Sequence, residues 1–343
     1  MPAPTYDHLL EERICYPFNP SLIQRRSLPL FSANSTPRFL YRLVAPQVTG
    51  TSPSRNSASA PTLVYRNAPD LFDFSAQKVA SLLLNHLLWQ RGHEDGCNLM
   101  SWTSSLLFAL QYALYRHRKD GDDLKHITLI IIDTTLFPEG TFIQDMEVMR
   151  LFQQVDARLQ KFVEYRETEY YFGEYITQGP LNIQGRCVFA SVQQMIDRGL
   201  FTLQPGLADE EQWRCWPKRV LDYRHLFSAD KRVETTEEDV AIAFDIARHC
   251  FGGRWTVPAA IMLLSLQPRN KDDRVISNGF KDEFTPAEIK EASLDTVEAH
   301  TKRLPEVGQF KELVEFVKRS YELDSYDALV DGVKDLSVCE PNN

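Results

Sequence analysis

Patterns typical of strands and of helices are divided unevenly along this chain, and this division restricts the possible folds more than any other feature. Up to about residue 204, short runs of β-branched and aromatic residues alternate with amphipathic segments. From about Asp209 onward, the periodic segments have helical spacing only. The pattern predicts an α+β body at residues 38–204, preceded by an arm at 1–37 and followed by an all-α region at 209–343.

Short strands are predicted throughout the body, at 38–44, 62–66, 127–133, 169–177 and 186–191. Helices are predicted at 75–90, from an N-cap at Thr103 or Ser104 onward, and at 144–163. Residues 46–61 are rich in Ser, Thr, Pro and Asn, so they bury too little apolar surface to offset the entropy of ordering. We therefore expect a mobile loop there.

Helix start and stop signals define the C-terminal region. Thr235 and Glu238 have the spacing of a capping box, and Gly252–Gly253 would end the helix that they begin. Thr285 and Glu288 repeat the pattern with a proline at the first helical position. A last helix is predicted at 310–321.

Composition excludes several classes of protein. The chain has 343 residues and a net charge of −9, which disfavours nucleic acid and anionic membranes as partners. No apolar run approaches the ~20 residues that cross a bilayer, and no signal peptide is recognisable. The six cysteines are widely spaced and include no Cys-x-x-Cys pair, which favours free thiols, no metal site and a cytoplasmic location.

Three segments carry polar groups in unusual surroundings. Arg42 lies within an apolar strand and requires an anionic partner if it is buried. Hydroxyl groups cluster at Ser101, Thr103 and Ser104 ahead of a helix. Glu174 stands in an apolar strand, where period-two alternation would place it on one face with Phe172.

Each of these segments also has an ordinary structural explanation. Arg42 could be a surface arginine, the hydroxyl cluster could be a helix N-cap, and Glu174 could pair with Arg42 for structural reasons alone. His86 and His117 fall on predicted helices, where packing or capping is the more frequent role of histidine. Phosphate-binding loops, dinucleotide-binding glycine motifs and nucleophile elbows are absent from the sequence.

Taken together, the three segments resemble the Arg–Ser/Thr/Ser–Glu class of ADP-ribosyltransferases, to which the cholera-type and heat-labile enterotoxin A chains belong. Tyr41-Arg42 resembles the family's aromatic-Arg strand. Ser101-x-Thr103-Ser104 resembles its Ser-Thr-Ser step, and Glu174-Tyr175-Ile176-x-x-Gly179-Pro180 resembles its catalytic strand. The chain is also similar to uncharacterised fungal proteins that contain a domain of unknown function. The resemblance covers about residues 38–202 and implies a split, mostly antiparallel sheet with helices packed outside it.

The resemblance also implies a chemistry, with NAD as the substrate. Arg42 would hold the dinucleotide phosphates, and a hydroxyl of Ser101, Thr103 or Ser104 would bind the ribose or orient Glu174. Glu174 would stabilise the cation that develops when the nicotinamide–ribose bond breaks. Aromatic candidates for stacking on the nicotinamide ring are Tyr41, Trp102 and Tyr175.

The sequence departs from the family pattern at two places. Trp102 interrupts the hydroxyl triplet, so Ser101, Thr103 and Ser104 remain candidates as a group. Phe172 stands where arginine-modifying members have a second Glu, which implies NAD hydrolysis or transfer to an acceptor other than arginine. The alternative is a catalytically inactive binding or interaction module of the same fold. In either case the C-terminal helices could dock a protein acceptor or partner.

Overall fold

A six-stranded antiparallel sheet forms the centre of the computed structural model. The structure describes residues 15–28, 36–45, 57–58, 69–88, 98–228, 232–292 and 303–337, the last 15 of these as helical backbone only. The strands are β1 (Phe39–Val44), β2 (Ser57–Ala58), β3 (Leu99–Thr103), β4 (Thr128–Asp133), β5 (Ile143–Gln144), β6 (Glu174–Gln178), β7 (Leu181–Asn182) and β8 (Cys187–Ser191). The sheet order is β5-β6-β3-β1-β4-β8, and β2 pairs with β7 separately.

Two of the central strands, β1 and β3, are joined much less extensively than their neighbours. Residue pairing between β1 and β3 is confined to Tyr41 and Thr103, whereas β1 pairs with β4 along its whole length. The two strands therefore diverge on one side of that pair. Across this divergence, Nη1 of Arg42 donates a hydrogen bond of 2.7 Å to the carbonyl oxygen of Ser101.

Helices pack around the sheet and make up the region after it. They are α1 (Leu22–Arg26), α2 (Ala76–Leu87), α3 (Leu106–Asp120), α4 (Asp145–Phe152), α5 (Ala157–Arg166), α6 (Val192–Asp197), α7 (Leu200–Leu203), α8 (Trp216–Ser228), α9 (Glu237–Ile246), α10 (Thr256–Leu264), α11 (Arg274–Glu283), α12 (Pro286–Glu291) and α13 (Pro305–Ser337). No strand lies beyond Ser191 in the part of the chain that the structure describes. The predicted α+β class with a helical C-terminal region is confirmed. None of the described helices is both long and apolar enough to cross a membrane.

Several predicted boundaries in the body are corrected by the structure. The N-cap of α3 is Ser105, whose hydroxyl accepts from the amide of Phe108, because Thr103 is still part of β3. The single helix predicted at 144–163 is two helices, since Asp156 caps the start of α5. The strand predicted to start at residue 169 starts at Glu174. The predicted strand at 62–66, most of the loop at 46–61 and much of the arm at 1–37 lie outside the described residues.

The C-terminal helix signals were predicted with mixed success. The capping box at Thr285 and Glu288 is present as predicted and starts α12. The other capping box lies one residue later than predicted, at Thr236 and Asp239, because the buried hydroxyl of Thr235 instead accepts from Arg269. The last helix is much longer than the predicted 310–321.

The hydrophobic core is continuous from the sheet to the C-terminal helices. One cluster contains Phe39 and Tyr41 of β1, the apolar side of α3, and residues of α9, α10 and α13 such as Ile261 and Val314. A second cluster lies between β3, β6 and the helices α2, α4 and α5. A third, with Leu40 and Trp102, fills the opposite face of the sheet. Core residues from both sides of the predicted 204–209 boundary thus belong to one cluster.

Candidate active site

The sheet brings together one residue from each of the three segments singled out in the sequence. Ser101 lies at the centre, on β3 between β1 and β6. Its carbonyl oxygen accepts from Arg42, and its hydroxyl donates to Oε1 of Glu174 at 2.5 Å. Thr103 of β3 pairs directly with Glu174 of β6. Ser101, two residues before Thr103, is therefore the diagonal neighbour of Glu174 on the same face of the sheet. Arg42 and Glu174 are therefore linked through a single serine.

His86, on α2, completes this arrangement from above the sheet. Its Nε2 lies 2.7 Å from the Ser101 hydroxyl oxygen and 3.9 Å from Oε1 of Glu174. A serine hydroxyl has one proton, and here the carboxylate accepts it, so Nε2 of the imidazole must carry a proton and donate to Ser101. Burial lowers the pKa of His86 to about 4, against the opposing effect of Glu174. The ring is therefore neutral at pH 7.

The second oxygen of Glu174 is held by Arg166, the last residue of α5. Nη1 of Arg166 lies 2.6 Å from Oε2 of Glu174, and the same nitrogen also contacts the buried carboxylate of Asp145 at the start of α4. Burial opposes ionisation of Glu174, but Arg166, His86 and the Ser101 hydroxyl together outweigh it and hold the pKa of Glu174 below its usual range. Glu174 is thus a carboxylate at neutral pH.

Arg42 is charged, and the described residues accept a hydrogen bond from one of its nitrogens. Burial lowers its pKa to about 10, while Tyr112 and Glu174 oppose that change, so the guanidinium is protonated at pH 7. Among the described residues, no carboxylate forms an ion pair with it, and its hydrogen bond is the one to Ser101. A guanidinium has five N–H donors, so Arg42 has capacity to bind an anion such as a phosphate.

The other two candidate hydroxyls do not reach Glu174. The hydroxyl of Thr103 donates to the carbonyl of Phe172 at 2.6 Å, and the amide of Ser104 donates to the carbonyl of Gly173 at 2.9 Å. Both residues therefore hold the segment that leads into β6. Of the three hydroxyl residues proposed from the sequence, Ser101 is the one whose side chain contacts Glu174.

The three aromatic candidates for stacking lie in the cores. Tyr41, Trp102 and Tyr175 are 4%, 1% and 3% exposed. Trp102 and Tyr175 alternate with Ser101 and Glu174 along their strands and so occupy the opposite face of the sheet. The structure does not bring their rings to the Glu174 carboxylate.

Phe172 also lies elsewhere than predicted. Gly173 adopts a φ of +70°, which breaks the extended backbone, so the period of two does not extend from Glu174 back to Phe172. The Phe172 ring stacks on Phe108 at a centroid distance of 4.9 Å and packs against Trp216. The expectation that Phe172 and Glu174 share a strand face is wrong.

Sequence reasoning missed three residues of the site: His86, Arg166 and Asp145. One signal was present for His86, because it follows Val79 by seven residues and so continues the apolar stripe of its helix. A polar residue on such a stripe needs a buried partner. Arg166 and Asp145 gave no comparable signal. Asp145 and Arg166 come close to each other because the chain changes direction between α4 and α5, and the sequence predicted a single helix there.

A family model described as a domain of unknown function (DUF7587) matches residues 35–183. This range contains Arg42, Ser101 and Glu174 but ends before β8 and the C-terminal helices. No curated protein matches the chain, and no solved structure matches it. Within the described residues, no group of three or more His, Cys, Asp or Glu side chains is arranged to hold a metal ion.

Proposed function

We propose that the chain is an NAD-consuming enzyme that breaks the bond between nicotinamide and ribose. The observation that carries this proposal is the position of Ser101, which contacts both an ionised glutamate and an arginine that forms no ion pair with a carboxylate among the described residues. An NAD molecule needs a cation for its phosphates and a carboxylate beside its reacting ribose. Here the two groups are separated by one residue of one strand.

The chemistry follows from these charges. Arg42 binds the pyrophosphate, and Glu174 accepts a hydrogen bond from the ribose 2′-hydroxyl. The C1′–N bond breaks with both electrons leaving on nicotinamide, and the Glu174 carboxylate stabilises the cationic ribose that remains. Water then adds to C1′ and releases one proton to solvent. Ser101 keeps the carboxylate in a fixed orientation, and neutral His86 keeps the Ser101 proton directed at Glu174.

The acceptor that the site favours is water or a group other than arginine. Phe172 packs in an aromatic cluster and supplies no second carboxylate. Asp145, which contacts the same arginine as Glu174, is already paired with that arginine, Arg166. A cytoplasmic location belongs to the same proposal, and the thiols of Cys15, Cys187, Cys215 and Cys250, which are not in disulfides, support a reducing compartment.

A second candidate function is a catalytically inactive binding module of the same fold. The ion pair between Arg166 and Glu174 favours it, because a ribose hydroxyl must compete with a guanidinium for Oε2 of the carboxylate. The burial of Tyr41, Trp102 and Tyr175 also favours it, since no ring among them is open to nicotinamide. A protein partner would then dock on the C-terminal helices.

Release of free nicotinamide from NAD by the purified chain tests the enzyme proposal. We expect Glu174→Gln to lower the rate by about 10²-fold or more, because an amide keeps the shape but lacks the charge. The matched control is Glu164→Gln, an exposed glutamate on the neighbouring helix, which should keep the parent rate. Equal rates in Glu174→Gln and the parent would remove Glu174 from the mechanism.

Calorimetric titration with NAD and with ADP-ribose separates the two candidates. An enzyme binds NAD and releases nicotinamide. A binding module binds one of the two ligands, with an affinity that Arg42→Met weakens, and releases no nicotinamide. Absence of both binding and release would exclude the enzyme and any module that binds NAD or ADP-ribose, and would leave a module that binds a protein partner.

A further inference from the structure

The short segment that leads into Glu174 is held by three successive backbone carbonyls. The Tyr171 carbonyl accepts 2.6 Å from Nη1 of Arg224, the Phe172 carbonyl accepts from Thr103, and the Gly173 carbonyl accepts from the amide of Ser104. Two of the donors belong to the end of β3 and its following residue. The third comes from α8, which lies in the C-terminal helical region.

Arg224 is itself fixed by a buried ion pair. Its Nη2 lies 2.8 Å from Oε1 of Glu306, in the first turn of α13, and its Nε lies 3.2 Å from both carboxylate oxygens. The Ser105 hydroxyl, which caps α3, donates to the same Glu306 at 2.5 Å. The side chains of Arg224 and Glu306 are 7% and 4% exposed. One network therefore joins α3, α8, α13 and the segment before Glu174.

The backbone of this segment has little freedom to find another path. Gly173 has a positive φ, and a Cβ placed on it would collide with Oγ of Ser104. The ring of Phe172 lies under the Arg224 guanidinium, with its centroid 5.3 Å from Cζ. A shift of Tyr171 or Phe172 would therefore be passed directly to the next strand residue, Glu174.

Stability alone does not account for the ion pair. Removing two charges from water is costly, and well-packed apolar residues of similar size are often as stabilising as a buried pair. An apolar pair at these two positions would fill the same space. It would not, however, donate to the Tyr171 carbonyl or accept from Ser105. The ion pair therefore contributes a fixed position of the Tyr171 backbone, which an apolar pair would not provide.

We propose that Arg224 and Glu306 are positioning residues for Glu174, supplied to the site by the C-terminal helices. They hold the Tyr171–Gly173 backbone so that the Glu174 carboxylate meets the Ser101 hydroxyl. The inference rests on the proposed function for its effect on NAD cleavage. It also has a consequence that is independent of catalysis, namely the order of the segment itself.

The test uses the full chain with the double substitution Arg224→Met and Glu306→Leu, which leaves no unpaired buried charge. We expect kcat for nicotinamide release to fall by about 10²-fold with KM changed less than about threefold, because a small misplacement of a reacting group costs that much. We also expect hydrogen exchange in peptides covering 170–176 to become about tenfold faster.

The matched control is Arg269→Met with Asp239→Leu, which removes another ion pair of a buried arginine in the C-terminal region. Arg269 does not contact the segment, so this control should change neither kcat nor exchange at 170–176. Arg224→Lys is a second variant, since a lysine keeps the charge facing Glu306 but lacks the fork that reaches the Tyr171 carbonyl as well. We expect it to accelerate exchange at 170–176 while the rest of the chain keeps its protection.

Unchanged exchange at 170–176 in both Arg224 variants would overturn the inference, as would equal losses of kcat in the control pair. A parent protein that releases no nicotinamide would refute the proposed function instead. In that case, faster exchange in the Arg224 variants alone would still support the role of Arg224 and Glu306 in ordering the segment.

Discussion

Burial of His86 as a neutral ring should make the folded state sensitive to acid. In the unfolded chain the imidazole has the ordinary pKa of 6.5, and in the folded protein burial lowers its pKa to about 4. Between these two values the unfolded state binds a proton that the folded state does not. The free energy of unfolding should therefore be highest above pH 6.5 and fall as the pH decreases toward 4.

The size of this effect follows from the pKa difference. At about 1.4 kcal/mol for each pKa unit, lowering the pKa from 6.5 to about 4 corresponds to a loss of about 3 kcal/mol. The side chain of His86 is only 14% exposed, so solvent screening removes little of it. Single domains are stable by about 5–15 kcal/mol, so the loss would be a large fraction of the total. Glu174 adds to this loss only at the acid end of the window, because the unfolded carboxyl binds a proton near its ordinary pKa of 4.5 while the folded carboxyl has a lower pKa.

Urea unfolding of the parent and of His86→Gln at constant ionic strength from pH 7 to pH 4 measures this directly. Glutamine places an N–H donor near the position of Nε2 but does not titrate, so the pH slope between 6.5 and 4 should largely disappear in the variant. Asn85→Gln, at the adjacent helix position, is the control and should keep the parent slope. A parent that loses less than about 1 kcal/mol over this range, or a His86→Gln variant with the parent slope, would refute the reasoning.

Two further predictions concern the segment before β6. Gly173→Ala should lower the free energy of unfolding by about 2–4 kcal/mol, because the new Cβ meets Ser104 in addition to the unfavourable φ. Gly121→Ala has a similar φ but open space around it, so it should lose only about 1–2 kcal/mol in the same urea assay. Phe172→Glu should lower the melting temperature and give no labelling of agmatine, because it places a carboxylate in the aromatic cluster of Phe108 and Trp216 instead of beside Glu174. Agmatine labelling by that variant would contradict the observed packing of residue 172.

Local signals predicted the local parts of this structure well. The β-branched run of β4 and the capping box at Thr285 were both located from sequence, because each depends on neighbours within a few residues. The extrapolation through Gly173 failed, since nothing in the sequence states that this glycine takes a positive φ. The strand β3 was not predicted, because apolar and polar residues alternate only over Met100–Thr103 and the hydroxyl residues there were interpreted as the start of a helix.

Only those residues of the candidate site that lie on the sheet were predicted from the sequence. Arg42, Ser101 and Glu174 stand on three neighbouring strands, and their residue types alone marked them as groups in need of partners. His86 and Arg166 reach the same place from α2 and α5, and that approach is decided by helix packing over long sequence distances. A single sequence contains little information about such packing.

The shared core of sheet and C-terminal helices affects how this chain could have been assembled during evolution. The recognised region, residues 35–183, stops before the edge strand β8 and before the helices that cover β1 and α3. A gene fragment encoding only that region would expose the apolar side chain of Phe39, whose ring packs on Trp255 and Phe310. A protein that acquired this region alone would therefore need other apolar side chains to cover the same part of the core. The recognised sequence therefore covers only part of the residues that share this core.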